Sequence, residues 1–475
     1  MAYARLVLLL SFVLACAAPR PVDPRVRALV AETESAIEAW GVPGAAVVIV
    51  EGDQTWFISA GTLDQELGPS VDPSARFRVG SVSKMITGML VADAEDRGVI
   101  ALDARPDIPE LDGRPDLVPP TLRHFMRHES GLQAGGVPSD CPPGPGRLGP
   151  ALAEVVPDLE AWLPPDALFL YSNIGVALSG RAVEHAAGVP FAELAQARIF
   201  DRAGMTAATY DAALAAAGRH ATGHRFDRET GRLVEQYTPH DWQCPGAYPS
   251  GGLLLTAEDL GALLRVFLRD GEGVLSPSAW RTFLQADDPD PTHYGLGVIV
   301  GEDEGHRVLS HGGSMSGYRA RIEVWPDDGF GVAVVVNADH RTTRVPERGQ
   351  KPTDLLAARV SRAFLDLPEK SWTQELRPRE AWSARYGGTY RSDQADMGSW
   401  TVWDDGETLW ARDRGREMVH ELVPYGRDDF QYELTSRATG LPVWGGVDFR
   451  SDGDGGPSML ITGKGIGWID PRVRP

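Results

Sequence analysis

Lysine is almost missing from this sequence. The 475 residues carry 46 basic side chains, and only Lys84, Lys351, Lys370 and Lys464 are lysine. A net positive charge is missing too: the formal balance is −20. Such an acidic surface repels nucleic acid and anionic lipid, which excludes polyanion binding as the main task. After Leu6–Ala15 no apolar run approaches the length of a membrane span. The chain has no internal repeat. It lacks a G-x-S-x-G elbow, which removes the α/β-hydrolase reading. It lacks H-E-x-x-H, which weakens a zinc hydrolase. His124 and His128 do stand at i, i+4 in "HFMRH", a spacing that can place two ligands on one helix face, but no third ligand is evident.

Cysteine is nearly as scarce, at positions 16, 141 and 244. The first falls in "MAYARLVLLLSFVLACAAPRP", where Arg5 precedes a short apolar run and small residues. That pattern is a secretory signal, residues 1–21. Two cleavage readings stand side by side. "VLAC" resembles a lipobox that would leave Cys16 lipidated and anchored to a membrane. "ACA" fits ordinary A-x-A cleavage. Either way the mature chain is exported, to the periplasm or as an outer-membrane lipoprotein of a bacterium. In that oxidising compartment Cys141 and Cys244 are candidates for a bridge, with two unpaired thiols as the alternative.

What is present is a length that favours two domains, with 43% hydrophobic and 24% charged residues, ordinary values for a globular protein. Apolar spacing predicts a helix over 24–40. "GAAVVIVEGD" and "QTWFISAGT" predict a strand pair around a Gly-Asp turn. "SVSKMITGMLVADAEDRGV" reads as a helix with a glycine stop. "TLRHFMRHESGL" reads as a short helix ending at Gly131, and "ALFLYSNIGVALSGRAVEHAAG" as an extended run entering a helix. Thr256, with Glu258 and Asp259 behind it, starts another. "HYGLGVIV", "RVLSHGGSMSGYRARIEVWPD" and "FGVAVVVNAD" are strand-like, and "PTDLLAARVSRAFLDL" is helical. Strands at both ends with helices between them imply an α+β fold whose sheet is built from both chain ends. A linker follows at 367–380, and short alternating strands with Asp-Gly turns over 381–475 predict a small antiparallel barrel or sandwich.

The isolated lysine has a chemical explanation. In "FRVGSVSKMITGML", Ser81 and Lys84 are separated by one helical turn, so the amine reaches the hydroxyl. A serine attacks only when a base takes its proton. Lysine serves there because burial lowers its pKa; arginine stays charged. A bare S-x-x-K also arises by chance, so its companions matter. "YSN" supplies Tyr171 for proton traffic and Asn173 to orient the amine and substrate. A turn with a core tyrosine is the plain alternative. "SHGGSMSG" supplies His311 and the close-approach glycines Gly312 and Gly313, or else a tight hairpin with an exposed histidine.

These segments, with "LRHFMRHESGL", "IFDRAGMTAATYD", "PSGGLLLTAEDLGALL" and "YGLGV" in the same order, resemble the serine β-lactamase-related hydrolases: class C β-lactamases, D-Ala-D-Ala carboxypeptidases, D-aminopeptidases and β-lactamase-like esterases. The resemblance spans roughly residues 25–365. It implies a β-lactamase/transpeptidase-like α/β sandwich over 22–366, with an antiparallel sheet, flanking helices and a helical subdomain. The C-terminal part resembles appended lipocalin-like β-domains. It further implies Ser81 as the acylated nucleophile, Lys84 as its base, and Tyr171 as general acid/base. Asn173, His311 and Gly313 would contact substrate, and the N–H groups of Ser81 and Ser314 would form the oxyanion hole. No cofactor or metal is called for, and the partner is a small-molecule or peptide substrate, with cell-wall fragments among the candidates. The third motif departs from the Lys-Thr-Gly of class C enzymes, which disfavours efficient β-lactam hydrolysis. It turns the expectation to an ester or amide, as in an esterase or D-amino-acid peptidase. A β-lactamase or penicillin-binding carboxypeptidase, and a non-catalytic ligand sensor, are the alternatives. Arg319 and Arg321 on the next strand are candidate carboxylate contacts.

Overall fold

A computed structural model describes residues 23–469 apart from 65–67, 118–119, 133–145, 168, 227–232, 242, 289–292, 340–350, 370–385, 387, 392–398, 407, 414–417, 425–428, 436–441, 451–458 and 463–464. The signal segment, Cys16, Cys141 and most of the linker therefore lie outside the described residues. The principal elements are numbered along the chain. Helix α1 is Pro24–Trp40, and β1 (Gly44–Glu51) and β2 (Gln54–Gly61) form the expected hairpin. Helices follow: α2 (Ser83–Asp96), α3 (Leu122–Arg127), α4 (Asn173–Ala187), α5 (Ala257–Leu268) and α6 (Pro277–Leu284). Then come β3 (His293–Tyr294), β4 (Ile299–Asp303), β5 (His306–Met315), β6 (Tyr318–Trp325), β7 (Phe330–Val336) and α7 (Pro352–Leu365).

The seven strands make one antiparallel sheet in the order β2-β1-β7-β6-β5-β4-β3. The sheet is thus built from both chain ends, with the helices from α2 to α6 inserted between. Strand β1 reads as an unbroken apolar run because both its faces are covered. Ala46, Val48 and Val50 join the core under α2 and α5, while Ala45, Val47 and Ile49 join the core under α1 and α7. Burying a Val or Ile side chain stabilises the fold by about 1.5–3 kcal/mol, so a run buried on both sides ties the two layers together.

The same alternation governs β6. Tyr318, Ala320, Ile322 and Val324 face the α2 side, and register places Ala320 opposite Gly313 and Ile322 opposite His311. His311 and Gly313 therefore share the α2 face. Arg319 and Arg321 point the other way.

Two local expectations are corrected. The helix beginning at Leu122 ends at Arg127 rather than Gly131, because His128 takes the left-handed conformation (φ 62) and caps it. "HYGLGVIV" is broken into β3 and β4 by a turn in which Gly297 has φ 83. A Cβ there would lie 2.3 Å from the Lys84 carbonyl oxygen, so the turn packs directly on α2.

Beyond Gly388 the described chain consists of eight antiparallel strands, Gly388–Arg391, Ser399–Asp404, Leu409–Asp413, Met418–Pro424, Asp429–Thr435, Pro442–Arg450, Met459–Thr462 and Gly465–Ile469. Each pairs with the next, and Tyr390 and Arg391 of the first pair with Ile469 and Trp468 of the last, closing a barrel. Among the described residues no helix is long and apolar enough to cross a membrane.

Candidate active site

Ser81 sits in a single 3-10 turn, Gly80–Val82, that runs straight into α2. Gly80 has φ 51, a left-handed value that a glycine adopts without strain. The turn is tied down by Ser83, whose hydroxyl donates to the Gly80 carbonyl at 2.7 Å and accepts the Leu253 N–H at 3.2 Å. Ser81 remains partly exposed while Lys84, one turn on, is fully buried.

The Lys84 amine has three neighbours. Asn173 Oδ1 and the Ser250 carbonyl oxygen lie 2.7 Å away, and Ser81 Oγ lies 3.1 Å away. Burial pushes the Lys84 ammonium well below the ordinary lysine value, because a charge loses its hydration there. A neutral amine has two N–H bonds and one lone pair. Its two carbonyl partners can only accept, so they take both N–H bonds. The lone pair is left for the Ser81 hydroxyl, the geometry a general base requires. Asn173 is held at the first residue of α4 by its position after Ser172, whose hydroxyl accepts the Gly175 N–H and caps that helix.

Tyr171 completes the cluster. Its hydroxyl faces the Ser81 side chain, which partly offsets the effect of burial on the phenol, and Lys84 Nζ lies 4.9 Å from its ring centroid. Burial pushes the Tyr171 phenol above its ordinary value, so at neutral pH it is a proton donor rather than a phenolate.

Opposite Ser81 runs the end of β5. Gly313 packs so closely on the serine turn that a Cβ would stand 1.9 Å from the Val79 carbonyl oxygen, and a Cβ on Gly80 would stand 2.8 Å from the Ser314 nitrogen. These two approaches bring the backbones around Ser81 and Ser314 side by side. His311 Nδ1 lies 2.6 Å from the Gly312 carbonyl oxygen, which can only accept, so Nδ1 carries the proton. Its Nε2 accepts from the Tyr294 hydroxyl at 2.8 Å. Both ring nitrogens are occupied, and burial, reinforced by the nearby Lys84, pushes His311 down to about 3. His311 thus brings no positive charge to the site.

The candidate carboxylate contacts are engaged elsewhere. Arg319 pairs with Asp339 at 2.6 Å, and Arg321 with Glu323 at 2.7 Å, on the sheet face away from Ser81. The two helical histidines do not share a ligand either. His124 closes a capping box with Thr121 and meets Asp166 at 3.0 Å, whereas His128 is buried against Tyr171 at 4.1 Å between ring centroids. Among the described residues no group of three His, Cys, Asp or Glu side chains is placed to hold a metal ion. Cys244 is disulfide-bonded; Cys141, the partner expected for it, lies outside the described residues.

Sequence reasoning missed two parts of this site. Tyr294 was visible only as the first letter of "YGLGV", and its hydroxyl meets His311 across the sheet edge. The Ser250 carbonyl is a backbone group, which no side-chain motif announces.

The buried neutral histidines have a consequence for stability. An unfolded histidine titrates near 6.5. A group with a lowered folded pKa adds stability that is complete above its unfolded value and is lost as pH falls. His311 should therefore cost the fold about 1.4 kcal/mol per pH unit between 6.5 and 3. Denaturation at pH 7 and pH 5 checks this: His311→Gln is expected to lose less stability than wild type, by about 2 kcal/mol. Parallel losses would mean that His311 is not held neutral.

A model of the beta-lactamase family matches residues 26–356. Penicillin-binding protein 4 of Amycolatopsis lactamdurans is 28% identical over 323 residues, covering 64% of this chain and 82% of its own. The Unguisins hydrolase ungD' of Aspergillus campestris is 21% identical and covers 94% of this chain and 90% of its own. Among solved structures, SurE with D-Leu superposes with a TM-score of 0.67 at 22% identity, over 94% of this chain and 99% of its own, a likeness of fold.

Proposed function

The chain belongs to the beta-lactamase family, and from that premise we propose that it is an exported serine hydrolase that cleaves an ester or amide through an acyl-Ser81 intermediate. The observation that carries this reading is the Lys84 amine, whose two carbonyl partners leave its lone pair for Ser81. Lys84 takes the Ser81 proton as Oγ attacks the acyl carbon. The oxyanion that forms meets the backbone N–H groups of Ser81 and Ser314, donors already fixed before the reaction. Tyr171 passes a proton to the leaving group and regains one from Lys84. Water then repeats the sequence on the acyl-enzyme: Lys84 takes the water proton as it attacks, and Tyr171 passes a proton to Ser81 Oγ as the acid departs, regaining one from Lys84.

The charge pattern favours a substrate that is neutral beside the scissile bond. The lysine of the class C third motif is replaced by a histidine held neutral, and Arg319 and Arg321 are paired on the far face of the sheet. Phe169, 48% exposed, meets Tyr294 edge-on with ring centroids 5.6 Å apart and extends the site with an apolar rim suited to an apolar acyl group. Similarity to a penicillin-binding protein favours a second reading, a penicillin-reactive enzyme. The export signal, with a lipid anchor at Cys16 or simple cleavage, is part of the same proposal.

Intact-protein mass after exposure to a fluorophosphonate separates these readings, with wild type and Ser81→Ala compared with and without prior benzylpenicillin. One adduct on wild type alone is expected, unblocked by penicillin. Blocking would establish the second reading. No adduct would favour a non-catalytic sensor of the same fold.

A further inference from the structure

Tyr171 belongs to no strand ladder and precedes the first turn of α4. Its hydroxyl must nevertheless stay on Ser81. The residues on either side of it are tied to one histidine. The His128 carbonyl accepts the Leu170 N–H at 2.7 Å, and His128 Nδ1 accepts the Ser172 N–H at 3.1 Å. Between these two bonds the imidazole lies against the Tyr171 ring, with centroids 4.1 Å apart and planes at 38°. Tyr294 at 4.8 Å and Phe169 at 5.5 Å close round the same imidazole. His128 Nε2 has no hydrogen-bond partner among the described residues, so the Ser172 bond is the one the ring makes. His128 is wholly buried, and its own backbone is locked in the left-handed cap of α3.

We infer that His128 is a positioning residue for acyl transfer: its Nδ1 acceptor and its ring together hold the Tyr171 hydroxyl on Ser81. The inference rests on the acyl-Ser81 reading above. His128 touches neither reacting atom and acts through Tyr171. An acceptor at Nδ1 requires an unprotonated ring, and burial, which pushes His128 well below the ordinary histidine value, supplies one. A histidine serving only to end α3 would need the left-handed backbone, but neither the acceptor nor the ring contact.

The test uses the full chain and two esters with one acyl group, a p-nitrophenyl ester and an ethyl ester. The first leaving group departs without a proton; the second needs one from Tyr171. Tyr171→Phe is expected to lower kcat/KM about 10²-fold more on the ethyl ester than on the p-nitrophenyl ester, the scale of a lost general acid. His128→Phe keeps a ring and loses the acceptor, and is expected to show the same bias, about tenfold, with rates corrected for active sites titrated by fluorophosphonate. His128→Asn keeps a short acceptor, tolerates the left-handed backbone, and is expected to fall between His128→Phe and wild type. It carries the test alone if His128→Phe does not fold. In a Tyr171→Phe background neither substitution should add to the bias.

A purely structural role would lower both esters equally, and equal losses in the His128 variants beside a biased Tyr171→Phe overturn this inference alone. A further tenfold bias in the double variant overturns it as well. No bias in Tyr171→Phe itself removes the proposed role of Tyr171, and this inference with it.

Discussion

Replacing Lys84 with methionine is expected to lower kcat/KM by about 10³–10⁴-fold while the chain stays folded. General-base assistance accounts for about 10²–10⁴-fold, and this amine has the geometry to supply it. Methionine fills a similar volume and offers no basic lone pair. Lys84→Arg should fare no better, because a guanidinium does not deprotonate in proteins. The pH profile makes the test specific. In wild type kcat/KM should rise through a pKa well below that of free lysine, and Lys84→Met should lose that limb. Stability moves with a defined sign. A lowered folded pKa means that the lysine contributes most above about 10.5 and progressively less as pH falls. Wild type should therefore gain stability relative to Lys84→Met between pH 7 and 10. Labelling of Ser81 by fluorophosphonate within tenfold of wild type in the methionine variant would show that the base lies elsewhere.

Such a prediction was within reach of the sequence because Ser81 and Lys84 are local to each other. One helical turn fixes their contact whatever the rest of the chain does. The strand runs of β1 and β7 and the alternating segments of the barrel were legible for a similar reason, since their pattern lies in consecutive residues. What depended on register was not. Arg319 and Arg321 had the right chemistry to hold a carboxylate, but the pairing of Ala320 with Gly313 sends them to the face covered by α7, where acidic partners wait. Tyr294 reaches His311 only because β3, β4 and β5 pair in sequence order. The third motif was legible as a histidine standing in place of the class C lysine. Burial and two filled ring nitrogens make it a neutral element, and sequence carries no direct record of either. His128 was legible only as a histidine one turn after His124 on a short helix. Its grip on both neighbours of Tyr171 depends on chain separated from it by more than 40 residues.

The second large effect concerns a missing side chain. Gly313→Ala is expected to lower kcat by about 10²–10³-fold, the scale of losing an oxyanion donor. The added Cβ would meet the Val79 carbonyl oxygen at 1.9 Å and Ala320 Cβ at 3.1 Å. Neither neighbour can give way as a flexible side chain would: one is backbone in the serine turn, the other is a Cβ on the paired strand. The strand end must therefore move away from the turn, and the proposed oxyanion hole of Ser81 and Ser314 N–H groups would lose its spacing. Gly312→Ala is the informative comparison. Its Cβ would meet only Arg321 Nη1, at 3.8 Å, an ordinary van der Waals contact. It should be milder than Gly313→Ala by at least about tenfold, although the two glycines are adjacent and look equivalent in "SHGGSMSG". The loss should fall on kcat more than on KM, because an oxyanion donor strengthens its bond only as the tetrahedral intermediate forms. Equal losses in the two variants would mean that flexibility of the motif, rather than the close approach of β5 to the serine turn, builds the oxyanion hole.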